Sequence, residues 1–186
     1  MLGFAMCGSF CTHAAAVREL KGLLEAGYEV QPIMSEAVYG TNTRFGSASA
    51  LREQIESMCA RPIIHDVVEA EPLGPKIVLE AMVICPCTGN TLAKIANGIT
   101  DTSVTMAAKA HLRSDRPLVL SLASNDALSA NLRNIATLLS RKHVYFVPMH
   151  QDDPEKKPHS LVADFTLLKP TLDAAFSGRQ FRKLFL

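Results

Sequence analysis

The chain has 186 residues, 19 basic against 18 acidic, with 48% hydrophobic and 20% charged residues. That length fits one domain of ordinary size, and a net charge of +1 gives no global electrostatic basis for binding nucleic acid or an anionic membrane. The mean hydropathy of +0.13 is high for a small chain with much surface per volume, and predicts apolar material shared between protomers.

Short apolar runs alternate with helical patterns. Leu2–Met6 predicts a strand and Thr12–Ala26 a helix, with Val17, Leu20, Leu23 and Leu24 on one face and Gly27 at its end. Tyr28–Met34 predicts a second strand, which Pro32 confines to an edge or a bend. A loop holding Gly40 and Gly46 leads to a helix over Ser49–Cys59, and Pro62–Val67 predicts a third strand. Ala81–Cys85 is a fourth, followed by the turn Pro86–Asn90 and a helix Thr91–Ala96 closed by Gly98. Next come a helix over Val104–Leu112, a strand over Pro117–Leu122, a helix over Ala127–Lys142 and a strand over His143–Val147. A polar loop, Gln151–His159, precedes a last helix over Leu161–Phe176. Such alternation implies right-handed crossovers. The expected fold is a single α/β domain spanning 1–186, a three-layer sandwich. Its parallel, Rossmann-like sheet has about six strands with helices on both faces.

The five cysteines are odd in number and mostly lie in or beside apolar runs, as expected of reduced thiols in a cytoplasmic protein. Cys85-Pro86-Cys87 lacks the spacing of a structural zinc pair and has no second pair to match it, so no metal is expected. Leu2–Ala16 has no basic leader region and is interrupted by Gly8-Ser9, unlike a signal peptide. No run approaches the roughly 20 apolar residues that span a bilayer.

In sheets of this kind ligands bind beyond the carboxyl ends of the strands. After the first strand, Gly8 permits a tight turn, and Ser9 and Phe10 open directly into a helix. A hydroxyl beside unpaired helix amides suits a phosphate, and equally suits an ordinary capped turn. Neither the G-x-G-x-x-G fingerprint nor a P-loop is present, which removes the main support for NAD or ATP binding by this chain. Ser35 follows the second strand. The fourth gives Cys87, Thr88, Asn90, Thr91 and, further into the helix, Lys94, which could reach back toward an anion. An Asn amide both donates and accepts, as the polar edge of a flavin or a carboxylate requires. A capped helix explains one or two of these residues and leaves the rest. Ser124, Asn125 and Asp126 form another polar cluster after the fifth strand. His65, beside a strand, and His111, on an exposed helix face, read as structural, and no Ser-His-Asp or Cys-His set emerges, so no catalytic residue is assigned.

Together these turns resemble the FMN-dependent flavoprotein superfamily that holds the cysteine decarboxylases and flavin prenyltransferases. The carrying segments are Gly8-Ser9, PCTGNTLAKIANGITD at 86–101, Arg116–Leu120, Asn131–Leu138 and Val147-Pro148. GSFCT at 8–12, AEPLGPK at 70–76 and FVPMHQDDPEKKPHSLVAD at 146–164 resemble, within it, the B-subunit family of dipicolinate synthases. The resemblance implies FMN, with Gly8, Ser9 and Phe10 at its phosphate and ribityl end. Ser35, Cys87, Thr88, Asn90, Thr91 and Lys94 would border the flavin, with Ser124 and Asn125 nearby. It also implies trimers or dodecamers built from them, and a partner, the synthase's A-subunit, that takes NAD or NADP if a nicotinamide is used. The implied reaction is formation of a pyridine dicarboxylate during sporulation. A non-catalytic flavin-binding or scaffolding role, and a free-standing decarboxylase or prenyltransferase, are the alternatives. The decarboxylases' His before the fourth strand has no counterpart in 71–76, and the prenyltransferases' Arg-Glu-x-Pro-Leu is replaced by Ser124-Asn125-Asp126-Ala127-Leu128.

Overall fold

A strand covered on both faces needs a nearly continuous apolar run, and the central strands have one. The computed structural model describes residues 1–74 and 76–186. In chain order the elements are β1 (Leu2–Met6), α1 (His13–Glu25), β2 (Val30–Met34), α2 (Glu36–Gly40), α3 (Ala48–Cys59), α4 (Val67–Ala70) and β3 (Ala81–Cys87). They continue as α5 (Gly89–Ala96), α6 (Ser103–Leu112), β4 (Leu118–Ser124), α7 (Leu132–Leu139), β5 (Val144–Phe146), β6 (Met149–His150), β7 (Leu161–Ala163) and α8 (Leu168–Phe176). β1, β2, β3 and β4 are buried at every residue.

Five strands run parallel in the order β2–β1–β3–β4–β5. The outer side of β4 is divided: Leu118–Leu120 pair with β5, and Ala123 and Ser124 pair antiparallel with β7, which pairs in turn with β6. The helices α1, α3 and α8 pack one face over Phe4, Leu20, Leu23, Ile55 and Leu172. The other face lies under α5, α6 and α7, over Met82, Ile84, Leu92, Leu120 and Phe146. No helix among the described residues is long and apolar enough to cross a membrane.

The α/β sandwich is as expected, but the sheet has seven strands and is mixed, against about six parallel ones. The third predicted strand, Pro62–Val67, is reduced to one bridge from Ile64 to Ile33, because Asp66 accepts from the Glu69 amide and starts α4 there. Leu161–Ala163, predicted as helix, forms β7; Asp164 then accepts from the Thr166 amide and begins a helical turn that leads into α8. The predicted helix Ala127–Lys142 is shortened to α7 because the Ser129 and Asn131 amides fold back onto the Asp126 carbonyl. α2 stands where a loop is expected. It is started by Ser35, whose hydroxyl accepts from the Val38 amide. His111, expected on an exposed face, is buried, with Nε2 2.9 Å from the Pro117 carbonyl. Pro32 does lie on an edge: its carbonyl accepts from the Ile64 amide at 3.0 Å on the outer side of β2.

The outer edge of β5 is closed by a side chain. Gln180 accepts from the Phe146 amide at 2.9 Å and donates to the Phe146 carbonyl at 2.6 Å. The following residues continue along β6, where the Met149 amide donates to the Leu184 carbonyl and the Leu186 amide to the Met149 carbonyl. Replacing Gln180 by Ala should cost about 1–3 kcal/mol, the range for a strand group left unpaired. Urea unfolding checks this, with the midpoint falling and the slope unchanged.

Candidate functional site

β1 delivers the chain to Cys7, and the turn that follows is held from below. The Cys7 amide donates to the Pro86 carbonyl at 3.1 Å, so the ends of β1 and β3 are tied. His13, in the first turn of α1, has Nε2 2.9 Å from the Cys7 carbonyl and its ring 5.2 Å from that of Phe10. Burial holds the His13 imidazole below its ordinary pKa, partly offset by that carbonyl, which keeps it neutral near pH 7. The Ser9 hydroxyl makes no capping bond within the turn. It stands beside the start of a helix, where amides point outward.

The end of β3 is built from hydroxyls. The Thr88 Oγ1 accepts from the Thr91 amide and donates to Thr91 Oγ1, and Thr91 Oγ1 donates to Cys7 Sγ at 3.3 Å. Burial pushes the Cys7 thiol up to about 11, and the Thr91 hydroxyl only partly offsets this. Cys85 and Cys87 are raised by burial as well. These are packed thiols, not thiolates. Asn90 sits one residue into α5 and is exposed.

At the end of β4 the Asp126 carboxylate organises its neighbours. It accepts from the Ser124 hydroxyl and, through both oxygens, from Asn131 Nδ2 at 2.9 Å. Asn131 accepts from Asn134 Nδ2 at 2.8 Å, and Asn134 from Asn97 at 3.4 Å, carrying the chain of bonds to the far end of α5. The Ser124 and Asn131 donors hold the Asp126 carboxyl below its ordinary value. Gly89, the first residue of α5, lies against this group. A Cβ there would be 2.3 Å from Ser124 Oγ, 2.7 Å from Asn131 Nδ2 and 2.8 Å from Asp126 Oδ1.

Gly8, Ser9, Phe10, Ser35, Thr88, Asn90, Ser124 and Asn125 thus fall at the carboxyl ends of β1, β2, β3 and β4. Their roles divide. Ser35 caps α2, Thr88 and Thr91 stitch α5 to β1, and Ser124 serves Asp126, while Asn90 and Asn125 are exposed and Ser9 is half-buried with no capping bond. Cys87 is buried beneath the edge. Lys94 does not reach back to it: its ammonium is bonded to Asp101 at 2.8 and 3.0 Å. Asn131, Asn134 and Gly89 are supporting residues outside the set expected from sequence. Two asparagines three apart, one at the N-cap of α7 and one on its buried face beside Ile135 and Leu138, were the available signal. Beside this edge, a hollow of about 420 Å³ runs between α1, α3 and the segment after α2, meeting it at Phe10. His65 stacks on Tyr39 at 3.8 Å, with Nδ1 3.1 Å from Glu69.

A doubly covered sheet whose carboxyl edge offers helix starts, hydroxyls and carboxamides has its ligand-binding position at that edge. The chain belongs to the Flavoprotein family, which it matches over residues 2–166. It is 44% identical over 183 residues to the B-subunit of dipicolinate synthase from Bacillus subtilis (strain 168), covering 98% of this chain and 92% of that one. The crystal structure of the dipicolinate synthase B-subunit from Bacillus halodurans C matches with a TM-score of 0.91 and 41% identity, over 100% of this chain and 95% of that one. The fold also matches AnUbiX, crystallised in complex with FMN and dimethylallyl pyrophosphate. That likeness has a TM-score of 0.63 and 23% identity, over 79% of this chain and 76% of that one.

Two outcomes test the supporting network. Gly89→Ala should destabilise the fold by about 1–3 kcal/mol through overpacking, read by thermal unfolding. Asp126→Ala should flatten the acid limb of the stability curve. A carboxyl with a depressed folded value stabilises fully above its ordinary value of 3.8 and loses that contribution as pH falls through the folded one. The wild type should therefore lose stability below about pH 4 more steeply than the variant.

Proposed function

We propose that the chain is a flavin-binding component that works with a partner polypeptide in forming dipicolinate from a dihydrodipicolinate-type precursor in sporulating cells. The observation that carries this reading is the 44% identity to the Bacillus subtilis protein over nearly the whole chain, joined to the donor set at the carboxyl edge. That set fits FMN. Ser9 and the turn amides before α1 suit its phosphate, and the outward carboxamides of Asn90 and Asn125 suit the donor and acceptor groups of its ring. Thr88, Thr91, Ser124 and Asp126 fix those turns. Aromatising the dihydropyridine ring removes a hydride and a proton. A bound flavin accepts hydride; a nicotinamide on the partner would serve the same end. The chain's own residues bind and orient, and the neutral His13 is engaged with the Cys7 carbonyl. We place the protein in the cytoplasm as a trimer or a larger assembly of trimers.

The absence of a free acid–base pair at this edge, among the described residues, favours a second reading, in which the chain binds flavin and stabilises its partner without turning over substrate. Purified protein should be yellow and release FMN identifiable by mass. Asn90→Ala and Asn125→Ala should each weaken FMN binding about tenfold, the equivalent of one ordinary hydrogen bond of roughly 1.4 kcal/mol. Variants that still assemble with the partner but lose synthesis support the first reading, and unchanged synthesis supports the second. A colourless protein that does not take up FMN removes both.

A further inference from the structure

We propose that the amino-terminal end of the parallel strands, opposite the flavin edge, is a docking surface for an acidic segment of a partner polypeptide. Two stretches of chain meet there. Arg141 and Lys142 leave the end of α7 just before β5, and Arg179 and Arg182 follow α8. Between them lies a hollow of about 440 Å³ with Leu139, Val144, Tyr145 and Leu184 in its walls. A second hollow shares Gly178, Gln180 and Arg182 with it and adds Arg179. Among the described residues, no carboxylate lines either one.

The excess of positive charge is local. The chain as a whole carries 19 basic and 18 acidic residues, yet Arg141, Lys142, Arg179 and Arg182 are all exposed and none forms an ion pair among the described residues. Asp115 faces His143, beside the hollow, at 3.6 Å. Cations at the end of α7 suit the negative pole of that helix, which accounts for Arg141 and Lys142. Arg179, just past the end of α8, is placed likewise, and Arg182 is not. These flank Gln180, whose carboxamide is bonded to both polar groups of Phe146. They are therefore held beside β5 on a braced segment, and little chain ordering remains to oppose binding.

Charge complementarity selects an acidic partner, and the apolar walls select one that carries apolar side chains between its acids. A hollow of this size admits a peptide strand. The near-neutral whole molecule lacks the broad positive field that a nucleic-acid duplex exploits. Because the hollow lies at the start of β5, a partner seated there leaves the carboxyl edge uncovered.

The test uses the full chain and a fluorescein-labelled peptide of alternating glutamate and leucine, with a glutamine–leucine peptide as control. Fluorescence anisotropy should show saturable binding of the acidic peptide alone, weakened about tenfold when salt is raised enough to shorten the Debye length from about 10 Å to about 5 Å. Arg141→Glu combined with Arg179→Glu should abolish it, with thermal unfolding unchanged. The proposal is overturned by three outcomes: no binding, equal binding by the double variant, or tighter capture by duplex DNA or phosphatidylserine vesicles at the same ionic strength. These residues lie away from the carboxyl edge, so FMN uptake should be unchanged in the double variant, and failure here leaves the flavin reading standing.

Discussion

The start of α5 approaches the end of β4 so closely that no side chain fits between them. Gly89 occupies that contact, and the space a Cβ would need is filled by Ser124, Asp126 and Asn131. This one approach sets the height of α5 above the sheet and hence the position of Thr88 and Asn90. It also decides what the polar cluster after β4 can do. A carboxylate that accepts three hydrogen bonds is charged and rigid, a good brace and a poor proton donor. The remaining turns are fixed in the same way, by hydroxyls facing inward: Thr91 on Cys7, Ser103 on the Met34 carbonyl, Ser35 on its own helix. The edge is preorganised by short polar groups bonded within the protein itself.

That division explains how far the site was legible in the sequence. Turns after strands are recognisable because glycine, serine and asparagine cluster there, so the positions at the ends of β1, β2, β3 and β4 could be named. Whether a hydroxyl faces the ligand or the protein depends on which helix lies across from it, and no local pattern carries that information. Lys94 shows the difference. Its place near the start of a helix suggested an anion partner, and a carboxylate seven residues further on engages it instead. Asn134 shows the reverse: its role comes from Asn131 and Asn97, on different turns and elements.

The fold was legible where hydrophobic periodicity is strong and failed where strands are short. β1, α1, α3, β3 and α6 were located to within a few residues. β6 and β7 have two and three residues, too few for any period to show; β7 exists because the divided outer side of β4 offers it a partner, and β6 because β7 does. The predicted strand at Pro62–Val67 had the right composition, but Asp66 as a helix cap outweighed it.

A glutamine braces the margin of the sheet at β2 and again at β5. Gln31 donates to the Pro32 and Pro62 carbonyls beside β2, and Gln180 satisfies Phe146 beside β5. Unfinished margins invite strands of other molecules to add on, the route by which sheets run together into aggregates. Here Pro32 lacks the amide such a strand would need, and the carboxamide of Gln180 stands in for the neighbour β5 lacks. A strand from another molecule could add at β5 only by displacing that carboxamide and giving up the two hydrogen bonds it makes to Phe146.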